Sequence, residues 1–237
     1  TTIDLRSPFD LGITADNKVY DGSDIATVVT GNAIYGGLVA GDRVTVSATG
    51  TFASKNVALS GNTPIAQNVT LVSSYTGADV GNYAISNQTS TTATITRKAL
   101  TLEGVRAVDT VYDGTTDADI DVSALVKNGL VQGDVVDVTV TGTFTGTFDG
   151  GLTAADVIRD GNGNILAKTV NLSGSYSGAD YLNYAISLPA TSSARTMPRA
   201  LTISGITVDD KVYDGNTTAT TNVTGAVGTG VGAYTSG

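Results

Sequence analysis

The chain has 237 residues, 41% hydrophobic, 6% aromatic and 15% charged, with 29 Gly, 4 Pro and no Cys, His or Trp. The missing residue types exclude a Ser-His-Asp or Cys-His catalytic group, the usual zinc sites and any disulfide. A net charge of −9 disfavours polyanions, because nucleic-acid affinity draws on Lys and Arg neutralising phosphates, so the expected partners include no nucleic acid and no anionic membrane surface.

Read in chain order, residues 1–6 resemble the tail of a preceding repeat, and a full repeat starts directly after them. Its first landmark is Lys18-Val19-Tyr20-Asp21-Gly22. Asp-Gly supplies a turn there, and the Tyr is expected to pack at a sheet edge with its hydroxyl satisfied nearby. Gly41-Asp42 opens an alternating segment, Asp42 to Ala48, that reads as a half-buried strand and leads into Thr49-Gly50-Thr51-Phe52. Ser74-Tyr75-Thr76-Gly77-Ala78-Asp79 then precedes Asn82-Tyr83-Ala84-Ile85-Ser86, another strand pattern. Thr94-Ile95-Thr96 runs through Arg97-Lys98 into Ala99-Leu100-Thr101 with no linker, so the last strand of one repeat feeds the first of the next.

The same landmarks return in the same order. Tyr112-Asp113-Gly114, Gly133-Asp134, Phe144, the Ser175 to Asp180 turn and Asn183-Tyr184 mark repeat two, and Tyr213-Asp214-Gly215 marks a third. We place repeat one at 7–97, repeat two at 98–198 and a partial repeat three at 199–237. Displacement of the later landmarks assigns repeat two an insertion at about 145–169. Within it, Asp160, Asn162 and Asn164 alternate oxygens as a calcium loop begins, but Ile165 stands where the sharp turn needs Gly and Asn171 where a bidentate Glu is needed. The favoured reading is a hairpin tip, with calcium as the lesser alternative and no other cofactor or metal expected. Asp117, Asp119 and Asp121 alternate along a strand and read as a solvated face. Repeat three lacks most of its strands, so it is expected to fray unless residues 1–6 or another chain complete it by strand addition.

Several short strands in a unit of this size fit an immunoglobulin-like β-sandwich. The ordered set of Tyr-Asp-Gly, Gly-Asp, Gly-Ala-Asp, Asn-Tyr and Ala-Leu-Thr strings resembles the YDG-type and MBG-type tandem repeats of large bacterial surface adhesins, including exported proteins of the filamentous-haemagglutinin kind. The resemblance implies an all-β chain of tandem immunoglobulin-like repeats in an extended rod, extracellular at a bacterial cell surface. It implies a stalk or spacer serving cell adhesion or biofilm, with neighbouring repeats as partners, no membrane insertion and no catalytic residue to carry over. An enzyme is not expected, because the recurrent Asp positions lie in turns. Tyr20, Asp21, Gly22, Tyr112, Asp113, Gly114, Tyr213, Asp214 and Gly215 are read as fold determinants, and Tyr112→Ala is expected to cost about 3 kcal/mol or more. The alternative is direct binding, to a polysaccharide or to other copies through sheet edges, with Tyr75, Tyr83, Tyr176, Tyr181 and Tyr184 as the aromatics to test.

Overall fold

Alternation of Thr and Ser with Val, Ile and Ala yields long strands such as Thr45–Phe52 and Ala66–Thr76. The computed structural model describes residues 9–229, which are all-β; their helical content is three 3-10 turns, Val80–Asn82, Asp149–Gly151 and Tyr181–Asn183. The expectations for residues 1–6, and for the end of repeat three from residue 230, lie outside the described residues. Among the described residues, no helix is long and apolar enough to cross a membrane.

Two compact units divide the chain. The first comprises the chain up to Leu102 together with Val126–Val138 and Tyr176–Ser187; the second comprises Glu103–Leu125, Thr139–Ser175 and the chain from Leu188. The compact unit therefore extends past the end of repeat one and takes in three segments of repeat two.

In the first unit a five-stranded sheet runs Lys18–Val19, Ser90–Thr96, Ala66–Thr76, Thr45–Phe52, Ile25–Ala26. Its long central pair is antiparallel, with Val69 opposite Phe52 and Tyr75 opposite Val46, and the short Lys18–Val19 strand joins Ser90–Thr96 in parallel. The period of two is visible in burial: Val46 and Phe52 on one strand and Gln67, Val69 and Leu71 on the next point inward, while their neighbours face solvent. A second sheet is ordered Val126–Asn128, Lys98–Glu103, Tyr184–Ser187 and pairs Leu100 with Ile186 in parallel. The two sheets share one apolar cluster in which Phe52, Val69 and Ile95 of repeat one meet Leu100, Val136 and Tyr184 of repeat two. Of Ala99-Leu100-Thr101, Leu100 joins this cluster because the strand at the repeat boundary turns it onto the preceding repeat, while Ala99 and Thr101 stay exposed.

The second unit holds a four-stranded sheet ordered Asp117–Ala118, Asp137–Thr145, Lys168–Ser177, Thr191–Ala194, over a smaller cluster of Ala107, Phe144, Val170 and Ala194. The insertion folds beside it. Lys168, almost fully buried, donates to the carbonyls of Ala154 and Asp156 and to Thr196 Oγ1 at 2.5–2.7 Å, and lies 4.3 Å from the centre of the Phe144 ring. Desolvation lowers the pKa of this ammonium, opposed by the charge of Asp156. Three oxygen acceptors and a ring face are what a buried ammonium needs to remain tolerable there. Within repeat three, Thr202–Ser204 pairs Val227–Thr229 and Thr207–Val208 pairs Thr221–Asn222, and the apolar side chains of these ribbons stay exposed.

Candidate functional site

The Tyr-Asp-Gly string builds the same turn three times. In the first copy Asp21 Oδ1 accepts the Ser23 N–H at 2.9 Å; in the second Asp113 Oδ1 accepts that of Thr115 at 2.8 Å; in the third Asp214 Oδ1 accepts that of Asn216 at 3.1 Å. Gly22, Gly114 and Gly215 follow with φ of +83°, +86° and +77°, a region that L side chains rarely adopt. Where Lys precedes the string it clamps the turn. Lys18 Nζ reaches Asp21 Oδ1 at 2.8 Å and the Ser23 and Ile25 carbonyls, and Lys211 Nζ reaches Asp214 Oδ1 at 2.8 Å and the Thr218 carbonyl. Thr110 takes that place in repeat two, where Thr115 bonds the carboxylate through both its N–H and its hydroxyl. All three carboxyls sit below the usual range. For Asp21 the effect of burial is outweighed by the bonds from Lys18 and Ser23, for Asp113 the Thr115 bonds act, and for Asp214 those from Lys211 and Asn216.

The remaining recurrent strings converge on a second knot. Tyr83 donates its hydroxyl to Asp42 Oδ2 at 2.6 Å and accepts the Val39 N–H, while Asp79 Oδ2 accepts the Arg43 N–H at 2.8 Å. In repeat two Tyr184 donates to Asp134 Oδ2 at 2.5 Å and accepts the Val131 N–H, and Asp180 Oδ2 accepts the Val135 N–H at 2.9 Å. The Gly before Ala-Asp is required by close approach: a Cβ on Gly77 would lie 2.1 Å from the Arg43 carbonyl oxygen, and one on Gly178 2.5 Å from that of Val135. Gly-Asp, Gly-Ala-Asp and Asn-Tyr are thus three parts of one clasp, a relation that sequence spacing alone does not reveal.

In the first unit the loop and the clasp meet. The Tyr20 ring stands edge-on to the Tyr184 ring, centroids 5.6 Å apart at 76°, and the two residues are only 1% and 3% exposed. Asn183, also buried, accepts the Val57 N–H at 2.9 Å and donates to Asn56 Oδ1, so a polar anchor lies beside the aromatic one. Burial and the Asp134 bond push the Tyr184 phenol up to about 12. One detail differs from the sequence-based expectation: the Tyr20 hydroxyl is not satisfied, and among the described residues it has no hydrogen-bond partner although Asp134 is near. Burial and that neighbouring carboxylate raise its pKa.

Burial of the other two loop tyrosines does not follow the first. Tyr112 is half-buried, and Tyr213 is 93% exposed. Of the alternative aromatics, Tyr176, Tyr181 and Tyr184 line one cleft, whereas Tyr75 and Tyr83 belong to repeat one. Asp160 closes a hairpin tip, as read from sequence: Oδ1 accepts the N–H groups of Asn162 and Asn164 at 2.9 and 2.8 Å, Oδ2 accepts the Asn164 amide, and Arg159 bridges Ile165. Both carboxylate oxygens therefore serve the loop itself, and no group of three or more His, Cys, Asp or Glu among the described residues could hold a metal ion. Asp117 and Asp119 face solvent, whereas Asp121, bonded by Ser123 and then by Arg106, is held at about 2.

Compared with protein-family models, the chain matches a YDG domain over residues 7–93 and again over 197–236, together more than half its length. No curated protein and no solved structure gives a match. The family match corrects expectations drawn from sequence. What is found is a YDG domain and not an MBG-type repeat of bacterial surface adhesins, and the expected roles in cell adhesion and biofilm are withdrawn with that assignment. The name YDG is also borne by domains that bind methylated DNA, so the exclusion of nucleic acid as a partner is withdrawn as well. That exclusion rested on net charge, which describes the whole surface and not any one face of it. Since both matched stretches contain the Asp-capped, glycine-closed turn described above, once at Tyr20 and once at Tyr213, the chain belongs to the YDG-domain family.

Proposed function

We propose that these repeats act as a mechanical spacer, a series of immunoglobulin-like sandwiches in an extended rod whose successive members are keyed together. The observation that carries this reading is the burial of Tyr20, from repeat one, against Tyr184 and beside Val131, from repeat two. Beads on a flexible string would have no use for an aromatic pair and a buried Asn at the joint, since ordering those side chains costs entropy that only a fixed geometry recovers. Completion of one repeat's core by strands of the next, through Leu100 and Val136, supports the same reading.

Small-angle X-ray scattering of the whole chain, wild type against Tyr20→Ala, tests it. The expected result is a defined set of dimensions for the wild type and a broader distribution for the variant. Indistinguishable distributions, with the variant still folded by circular dichroism, would refute the keyed spacer.

A further inference from the structure

We propose that the cleft beside Arg97 binds an acidic saccharide through a sugar carboxylate. This goes beyond the spacer reading and does not depend on it. The cleft, about 490 Å³, falls within the range of small-ligand sites, and Arg97, Asn62, Tyr176, Tyr181, Leu182 and Ser187 are among the residues that line it. Arg97 carries the only charge among them. Its guanidinium is held by neutral acceptors: Nε donates to the Leu182 carbonyl at 3.1 Å and Nη2 to Asn62 Oδ1 at 2.8 Å. None of the four ion pairs among the described residues involves it. A guanidinium fixed at two nitrogens, with its charge uncompensated, is preorganised for a planar oxyanion. Tyr176 and Tyr181, both half-buried, add aromatic faces with polar rims, the combination that the apolar faces and hydroxyls of a sugar ring require.

The internal repeats separate Arg97 and Tyr181 from the fold, whereas Tyr176 recurs as Tyr75. Tyr184 has its counterpart in Tyr83, which makes the same bond to Asp, so that residue is structural. Arg97 instead corresponds to Pro198, and Tyr181 to Val80. Residues that the repeat does without elsewhere are the ones free to serve a ligand. One guanidinium matches one carboxylate, whereas a nucleic-acid strand draws its affinity from several cations along its phosphates.

Isothermal titration calorimetry of the whole chain would use trigalacturonate, its methyl ester, which has nearly the same shape without the charge, and a single-stranded oligonucleotide. Expected are saturable binding of trigalacturonate and none of the ester, affinity reduced at least tenfold by Arg97→Gln and at least fivefold by Tyr181→Ala, and a change under twofold for Arg159→Gln, which makes the same charge change at the insertion tip. Should Arg97→Gln fail to fold, Arg97→Lys retains the charge, loses the fork and is expected to weaken binding severalfold. Absence of trigalacturonate binding, equal binding of the ester, indifference to the Arg97 variants, or preference for the oligonucleotide would each overturn the proposal.

Discussion

The loops at Tyr20 and Tyr213 are the same turn in two environments. Each has an Asp capping the N–H two residues on, a Lys ammonium 2.8 Å from that carboxylate, and a Gly at φ near +80°. Yet one Tyr is 1% exposed and the other 93%, and the strands that follow repeat the contrast: Leu100 is fully buried and its counterpart Leu201 is 64% exposed. The turn is therefore encoded locally, by Asp, Gly and Lys within a few residues. Burial is encoded at a distance: the cover on Tyr20 comes from Val126–Val138 and Tyr176–Ser187 of the next repeat.

The largest test of that contrast is truncation of each Tyr. Tyr20→Ala is expected to destabilise by about 3–5 kcal/mol, as for other buried aromatics, and Tyr213→Ala by no more than about 0.5 kcal/mol, as at an open surface. The half-buried Tyr112 falls between, at about 1–2 kcal/mol, below the value expected for it from sequence. Urea denaturation followed by tyrosine fluorescence would measure all three. Similar losses at Tyr20 and Tyr213 would mean that the ring stabilises its own loop and not a joint.

Glycine substitution sharpens the comparison because it holds the backbone cost constant. Gly22→Ala and Gly215→Ala both force a Cβ onto positive φ, but the first also brings it 2.9 Å from Val131 Cγ1 while the second meets nothing within 4 Å. Gly22→Ala is expected to cost about 1–2 kcal/mol more than Gly215→Ala in the same denaturation experiment, the usual scale of overpacking. Equal costs would show that Val131 moves aside freely and that the joint is loosely packed.

What the sequence revealed follows the same division between local and distant. The strand at Thr45–Phe52, the three Asp-Gly turns and the hairpin tip at Asp160 were legible because each depends on alternation or on a donor and acceptor a few residues apart. The clasp was only half legible: its strings stood out as repeats, but nothing in the spacing indicated that Tyr184 bonds Asp134, fifty residues away. The boundary at residues 97–98, natural to the repeat, does not announce that Leu100 packs on the preceding repeat, since an alternating strand looks the same whichever sheet it faces. Arg97 and Tyr181 gave no signal as a pair because neither recurs.

The smallest expected effect concerns the two clasps, which share their bonds and differ in cover. Both tyrosine phenols are raised, Tyr83 by its bond to Asp42 and Tyr184 first by burial and then by Asp134, up to about 12 from an ordinary 10. A phenol whose folded pKa exceeds its unfolded one adds stability that is complete below pH 10 and is lost as pH climbs toward 12. Tyr20, raised first by burial, acts in the same sense, and Lys168, lowered by burial, in the opposite sense up to about pH 10.5, so the wild-type profile alone mixes several groups. The informative quantity is the difference between wild type and each Phe variant over pH 10 to 12. Tyr184→Phe is expected to remove a slope worth about 1 kcal/mol across that window, and Tyr83→Phe distinctly less, because water reaches Tyr83 and screens its ionisation. If the two variants flatten the profile equally, the hydrogen bond to Asp sets the whole shift, and the cover that Tyr20 gives Tyr184 contributes packing without changing the electrostatics beneath it.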